Sequence, residues 1–250
     1  MNLDGAVVLL TGGSSGIGAA TARLLAQRGS RLLLVGRDEV ALERARDSSD
    51  GCALRIDLAD PGAPDEVARW AIAEAGRVDV LIANAGQGWV GGLTGMPTDT
   101  IDRLVTVNLI ANLRLTRALL PGMLERRRGH LVFVSSIAGC LGVAQEAVYA
   151  ATKSGLRAFA DSLRYETAGR GIGISVLVPG VVDTAFFSRR GKEYGRARPR
   201  PVPADLAARA LAGAIELGHA EVFVPRWMRL PARLHGAMPR LVGALQRRWG

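Results

Sequence analysis

The chain has 250 residues, 48% of them apolar, and 32 basic against 23 acidic side chains give a formal net charge of +9. That size and apolar share suit one α/β domain with a large core. Two cysteines, Cys52 and Cys140, are too few for a disulfide framework, and no run approaches the roughly 18 apolar residues of a membrane span.

The basicity is local. Residues 185–200 carry a net +5 and residues 225–250 a net +6, so the rest of the chain is nearly neutral. A neutral body with few aromatics in the basic loop argues against nucleic acid as a partner. The opening MNLDGAVVLLTGG has no basic region, long apolar segment or cleavage site of a secretory signal. A reducing, cytoplasmic location with both thiols free is therefore expected.

Short apolar runs alternate with longer amphipathic ones. AVVLLT precedes the helical pattern Ile17–Arg28, RLLLVG precedes Glu39–Arg46, and ALRIDL precedes Glu66–Ala75. VDVLIANAG leads to Asp99–Leu120, HLVFVSS to Val148–Gly169, and ISVLVPG and EVFVP close the series. Continuous apolar strands separated by helices predict a parallel sheet covered on both faces: a single Rossmann-type, doubly wound α/β domain of about seven strands over residues 1–224. Residues 188–203, rich in Gly, Arg and Pro, read as a mobile loop.

TGGSSGIG, from Thr11 to Gly18, falls where the first strand should hand over to the first helix. Gly12, Gly16 and Gly18 let the backbone turn sharply and approach a pyrophosphate, with Ser14, Ser15 and Ile17 completing a turn whose helix amides meet the negative charge. Further along stand Asn84-Ala85-Gly86, Asn108 in the following helix, Ser136 at a strand end, a Tyr149-x-x-x-Lys153 pair and Pro179-Gly180. In this order the motifs resemble the classical short-chain dehydrogenase/reductase family over roughly residues 3–224.

The resemblance implies a nicotinamide dinucleotide as cofactor. An acid ending the second strand would bind the ribose 2′-hydroxyl of NAD, whereas an arginine there accommodates the 2′-phosphate of NADP. In the family register Gly36 takes the acid's place and Arg37 follows, so NADP(H) is the expected cofactor and NAD(H) remains compatible. The resemblance also assigns Asp57, followed by Leu58, to the adenine amino group. Val182 is matched to the carboxamide and Thr184 to the cofactor phosphates.

Lys153 is one of two lysines in a chain with thirty arginines. On a helix Tyr149 and Lys153 are i and i+4 and share a face. Lowering a tyrosine pKa by about three units takes roughly 4 kcal/mol, about what one cation at 4 Å supplies at an effective dielectric near 20. A lysine, unlike an arginine, is also compact and can release a proton. The family reading gives Tyr149 the proton transfer and Ser136 the substrate oxygen, with Lys153 on the ribose and Asn108 holding a water chain. Ser135 competes with Ser136; alternation along the strand points it the other way. His130, His219 and His235 show no ligand spacing, so no metal is expected.

The resemblance places residues 185–203 over the substrate, where their charge can meet an acidic group or simply be solvated. In residues 225–250, a basic helical extension, Leu234, Met238, Leu241, Leu245 and Trp249 form an apolar stripe with Arg226, Arg233, Arg240 and Arg247 near another face. Such a helix either lies peripherally at an anionic membrane, here the inner face, or docks on a partner subunit. Pro231 and Pro239 interrupt any single long helix. The tail is unlike that of acyl-carrier-protein reductases and more similar to the family branch acting on lipophilic ketones. The expected activity is interconversion of a small-molecule ketone or aldehyde and its alcohol. A 3-oxoacyl-carrier-protein-type reductase and a non-catalytic NADP-binding regulator remain open, and the family implies a homodimer or homotetramer.

Overall fold

The computed structural model describes residues 1–47, 49, 51–195 and 199–238. Seven parallel strands form one sheet: β1 (Val7–Thr11), β2 (Arg31–Gly36), β3 (Gly51–Arg55), β4 (Val80–Ala83), β5 (Gly129–Val134), β6 (Ile172–Pro179) and β7 (Glu221–Val224). Their order is β3-β2-β1-β4-β5-β6-β7. The chain winds outward from β1 to β3 and then crosses back to β4. That reversal puts a crevice at the carboxyl ends of β1 and β4, where open α/β sheets take their ligands.

Side chains alternate along each strand, so one sheet feeds two cores. Val8, Leu10, Leu32, Leu34, Val80 and Ile82 pack under α1 (Gly16–Gln27), α2 (Glu39–Asp47) and α8 (Ala204–Leu217). Leu9, Leu33, Leu81, Leu131 and Phe133 pack under α3 (Ala63–Ala75), α5 (Ala111–Glu125) and α6 (Ala147–Glu166). Because both faces are covered, the strands need no polar alternation, which is why they read as unbroken apolar runs.

Several sequence expectations need correction. The helix expected over Asp99–Leu120 is two, α4 (Thr98–Val105) and α5, joined by a π turn at Thr106–Ile110 that carries Asn108. Helix α8 was not anticipated, although Ala207, Leu211, Ala212 and Ile215 repeat at helical spacing and are fully buried. Residues 188–203, read as a mobile loop, begin in the second half of a short helix, α7 (Phe186–Arg189), and end by pairing Val202 and Pro203 with Val182 and Asp183. Pro231 does not break its helix: it sits in the first turn of α9 (Arg229–Ala237), where an amide is unpaired in any case. Of the predicted apolar stripe, Leu234 and Met238 are exposed. Leu241, Leu245 and Trp249, with Arg240, Arg247 and Pro239, lie outside the described residues. Among the described residues no helix is long and apolar enough to cross a membrane, and no His, Cys, Asp or Glu cluster could hold a metal.

Candidate active site

The glycine turn is built by mutual support between two strand ends. Thr11 Oγ1 accepts from the amides of Asn84 and Ala85 (both 3.0 Å), while Asn84 Nδ2 donates to the carbonyls of Thr11 (2.9 Å) and Gly12 (3.1 Å). Gly12 and Gly16 adopt φ of +67° and +54°, which side chains disfavour. At Gly18 the reason for glycine is contact: an added Cβ would lie 2.0 Å from the Gly12 carbonyl oxygen. Helix α1 thus reaches the turn at backbone distance. Its N-cap residue Ser15 makes no side-chain cap and its first turn holds no acid, so its amides face the cleft without competition.

This turn forms one end of a cleft of about 980 Å³. Its wall includes Gly12, Ser14, Ser15, Gly16 and Ile17, then Arg37, Asp57 and Leu58, then Asn84, Ala85 and Gly86. Ser136, Tyr149, Lys153, Pro179, Gly180 and Val182 line the other end, and Thr184 lines the wall beside Gly16. Thr11, Gly18 and Asn108 do not reach the cleft and act from behind its wall. Asn108 accepts from the Gln87 amide (2.8 Å) and donates to the Gln87 carbonyl (2.9 Å) and Thr152 Oγ1 (3.2 Å). Its own carbonyl is taken by Asn112 Nδ2 (2.8 Å), so Asn108 fixes the loop after β4 to α6 and is a positioning residue.

Beside the glycine turn Asp57 Oδ2 receives Arg103 Nη2 at 2.6 Å and lies 3.6 Å from Arg37 Nη1. Burial pushes the Asp57 carboxyl up, but the Ala59 amide, Arg103 and Arg37 outweigh it and hold it below the usual carboxylate range. Gly36 stands beside Ser14: an added Cβ would be 3.1 Å from Ser14 Oγ. Arg37 is half-exposed and follows Gly36 in the chain.

At the opposite end α6 carries Tyr149 and Lys153, both buried. Ser136 Oγ accepts from the Ala138 amide (3.2 Å) and lies close enough to the Tyr149 phenol to favour its ionised form, whereas Ser135 Oγ points away and donates to the Lys153 carbonyl (2.9 Å). Lys153 Nζ donates to the Val134 carbonyl (2.9 Å) and lies 5.9 Å from the Tyr149 ring centre. The tyrosine expectation requires correction here. Burial pushes Tyr149 up to about 12, partly offset by Ser136 and Arg190, instead of Lys153 drawing it down. Desolvation also lowers Lys153 to about 8. Burial disfavours the phenolate and the ammonium separately, so Tyr149 holds its proton and Lys153 can exchange one near neutral pH.

A lid covers this end. The Phe186 ring tilts over the Tyr149 ring at 5.6 Å and abuts Gly88. Arg190 pairs with Glu146, the N-cap of α6, with side chains only 10% and 12% exposed. Arg189 Nη2 donates to Ser15 Oγ across to the glycine turn (2.9 Å). Thr184, expected at the cofactor phosphates, packs its methyl against Gly16 while its hydroxyl accepts from the Phe186 amide (3.3 Å). Arg103, Gln87, Glu146, Arg189 and Arg190 were all missed in the sequence. The exposed-looking charge run at 189–192 was the available signal, but spacing could not say which carboxylate or hydroxyl each residue meets.

A nucleotide-sized crevice at the sheet's switch point, with a buried tyrosine and lysine on one helix face, defines a Rossmann-type protein equipped for proton transfer. Its sequence matches the short chain dehydrogenase family over residues 6–195, and the chain belongs to that family. It is 38% identical over 208 residues to dehydrogenase/reductase SDR family member 7B of Rattus norvegicus, covering 77% of this chain and 64% of the relative. The chain thus spans under two thirds of that relative's length. It is 33% identical to the 3-oxoacyl-acyl-carrier-protein reductase FabG of Escherichia coli over 226 residues, 90% of this chain and 91% of the relative. A solved short-chain dehydrogenase from Sphingobium yanoikuyae in complex with NADPH superposes with a TM-score of 0.83 at 30% identity, covering 94% of this chain and 96% of that one.

Proposed function

We propose that the protein is an NADP(H)-dependent oxidoreductase that interconverts a ketone or aldehyde and its alcohol, acting on an apolar substrate. The observation that carries this reading is the placement of Ser136, Tyr149 and Lys153 together at one end of a cleft whose other end is an open helix N-terminus flanked by Arg37. The residues fit a nicotinamide dinucleotide. Gly12 and Gly18 let the turn close at backbone distance so that the α1 amides face the cleft for a pyrophosphate, Asp57 offers an ionised acceptor for an adenine amino group, and the Gly36 gap with Ser14 and Arg37 suits a 2′-phosphate. When bound, such a cofactor supplies or accepts hydride at the carbonyl carbon.

The chain's own residues handle the proton. A phenol held near pKa 12 is protonated at neutral pH and is a donor to the oxygen of a carbonyl being reduced. Ser136, close enough to that phenol to influence its ionisation, can donate to the same oxygen as negative charge develops on it. Lys153, at about 8, is mostly charged at neutral pH and can pass a proton on to the tyrosine side as it is consumed. Phe186 over Tyr149 excludes water from this end.

Six apolar side chains, Val90, Leu141, Val143, Phe187, Trp227 and Met228, line the cleft, and of the charged residues that line it with them Glu146 and Arg190 are paired with each other. That lining supports a lipid-like substrate more than a short polar one. Helix α9, beside the mouth, exposes Leu230, Leu234 and Met238 next to Arg229 and Arg233, which supports peripheral contact with an anionic membrane as the finer part of the proposal. Co-sedimentation with anionic liposomes, lost when residues 226–250 are removed, is the expected result. The reading as a whole is tested by NADPH and NADH consumption against carbonyl compounds of increasing apolar size. Turnover should rise with apolar size and favour NADPH; dinucleotide binding without turnover on any member of the series would favour the regulatory alternative.

A further inference from the structure

We infer that Arg189, on the lid helix α7, grips the dinucleotide's pyrophosphate from the side opposite helix α1, so that cofactor binding and lid docking are coupled; the inference rests on the NADP(H) reading above. Among the described residues three guanidinium groups line the cleft, those of Arg37, Arg189 and Arg190. Arg37 lies within ion-pair distance of Asp57, and Arg190 is paired with Glu146. Arg189 forms no ion pair among the described residues. Its hydrogen bonds are Nη2 to Ser15 Oγ at 2.9 Å and Nε to the Ala185 carbonyl at 3.2 Å. The second bond anchors the fork to its own helix; the first aims it at the glycine turn. Of five N–H donors, three remain to meet phosphate oxygens.

The place at which Arg189 arrives fits an anion. Ser15 is the N-cap of α1, yet its hydroxyl does not cap the helix and instead accepts from Arg189. The first turn of α1 contains no acidic residue. Thr184, two residues before the lid helix, packs its methyl on Gly16, holding the lid's start against the same turn. A pyrophosphate held at the α1 amides would therefore have both the helix dipole and the Arg189 guanidinium within its surroundings. Arg37, beside Gly36 and Ser14, is placed for the 2′-phosphate, so the two arginines divide the cofactor's negative charge between them.

This division makes a discriminating prediction, because pyrophosphate is common to NADPH and NADH whereas the 2′-phosphate is not. Dissociation constants would be measured by nucleotide fluorescence for the full chain and for Arg189→Met, Arg189→Lys and Arg37→Met. Arg189→Met should weaken NADPH and NADH alike, each about tenfold, the scale of one charge-assisted hydrogen bond. Arg189→Lys should recover part of that loss as a point charge, and Arg37→Met should weaken NADPH alone. Trypsin gives a readout independent of affinity: at saturating NADPH, cleavage after Arg190 and Lys192 should slow in the natural chain and remain fast in Arg189→Met. Equal affinities for both nucleotides in the natural chain and Arg189→Met, or a loss confined to NADPH, would overturn the inference while leaving the NADP(H) reading intact. Failure of the natural chain to bind either nucleotide would remove that reading and the inference with it.

Discussion

Replacing Gly18 by alanine gives the sharpest test of how the cleft is built. Gly18 is inside α1 and has no positive φ, so helix propensity alone predicts that alanine would stabilise the protein by about 0.5–1 kcal/mol. The structure predicts the opposite sign. An alanine Cβ would lie 2.0 Å from the Gly12 carbonyl oxygen and 2.7 Å from Asn84 Nδ2. Carbon and oxygen need roughly 3.2 Å, so α1 or the turn must retreat by about 1.2 Å, and both are backbone. Overpacking of this kind costs about 1–3 kcal/mol. The retreat also loosens the Asn84 bonds to Thr11 and Gly12 that hold the turn to β4. Gly213 supplies an internal control: it is inside helix α8 and an added Cβ there meets nothing within 4 Å. Urea unfolding should show Gly18→Ala destabilised by about 1–3 kcal/mol and Gly213→Ala stabilised by about 0.5–1 kcal/mol. NADPH affinity should fall only in the first. Gly18→Ala with unchanged stability and affinity would refute the argument that contact dictates this glycine.

Three further outcomes follow from the charged and titrating groups. Burial lowers His130 to about 4, and its Nε2 contacts Ser175 Oγ at 2.8 Å. A depressed histidine is neutral when folded and protonated when unfolded between about 6.5 and 4. Stability should therefore fall by about 1.5 kcal/mol from pH 6.5 to pH 5, and His130→Asn should flatten that slope in urea titrations. Glu146→Gln leaves Arg190 without its partner in a nearly buried position. It should cost about 3 kcal/mol and speed proteolysis of the lid, with part recovered in Glu146→Gln/Arg190→Met; purely additive losses would argue against the pair as a latch. With Lys153 at about 8, kcat/KM for carbonyl reduction should decline above that pH as its charge is lost; a flat profile to pH 10 would separate the lysine from catalysis.

The parts legible in the sequence are those decided by short-range physics. Apolar runs such as RLLLVG became strands because burial on both faces demands them, and TGGSSGIG became the turn because only glycine tolerates its φ values and contacts. The Tyr149 and Lys153 pairing on one face required only helical spacing. Tertiary placement decided the rest. Spacing gave the two side chains a common face but could not reveal that Lys153 would turn its ammonium to the Val134 carbonyl, or that desolvation would raise Tyr149 instead of lowering it. Arg103 on Asp57, Glu146 on Arg190 and Arg189 on Ser15 join residues 46, 44 and 174 positions apart, beyond any local pattern. The π turn at Asn108 likewise depends on the clamp to Gln87 and Thr152 more than on propensity.

The central claim is that Tyr149 carries the proton for a carbonyl bound beside the cofactor. The most direct measurement compares NADPH binding and single-turnover NADPH oxidation, with an apolar ketone, in the natural chain and in Tyr149→Phe. Phenylalanine keeps the ring against Phe186 and removes only the hydroxyl. The account predicts an unchanged dissociation constant and a rate lower by about 10²-fold or more, the scale of a lost general acid. Single-turnover oxidation that proceeds in Tyr149→Phe at the natural rate would contradict it.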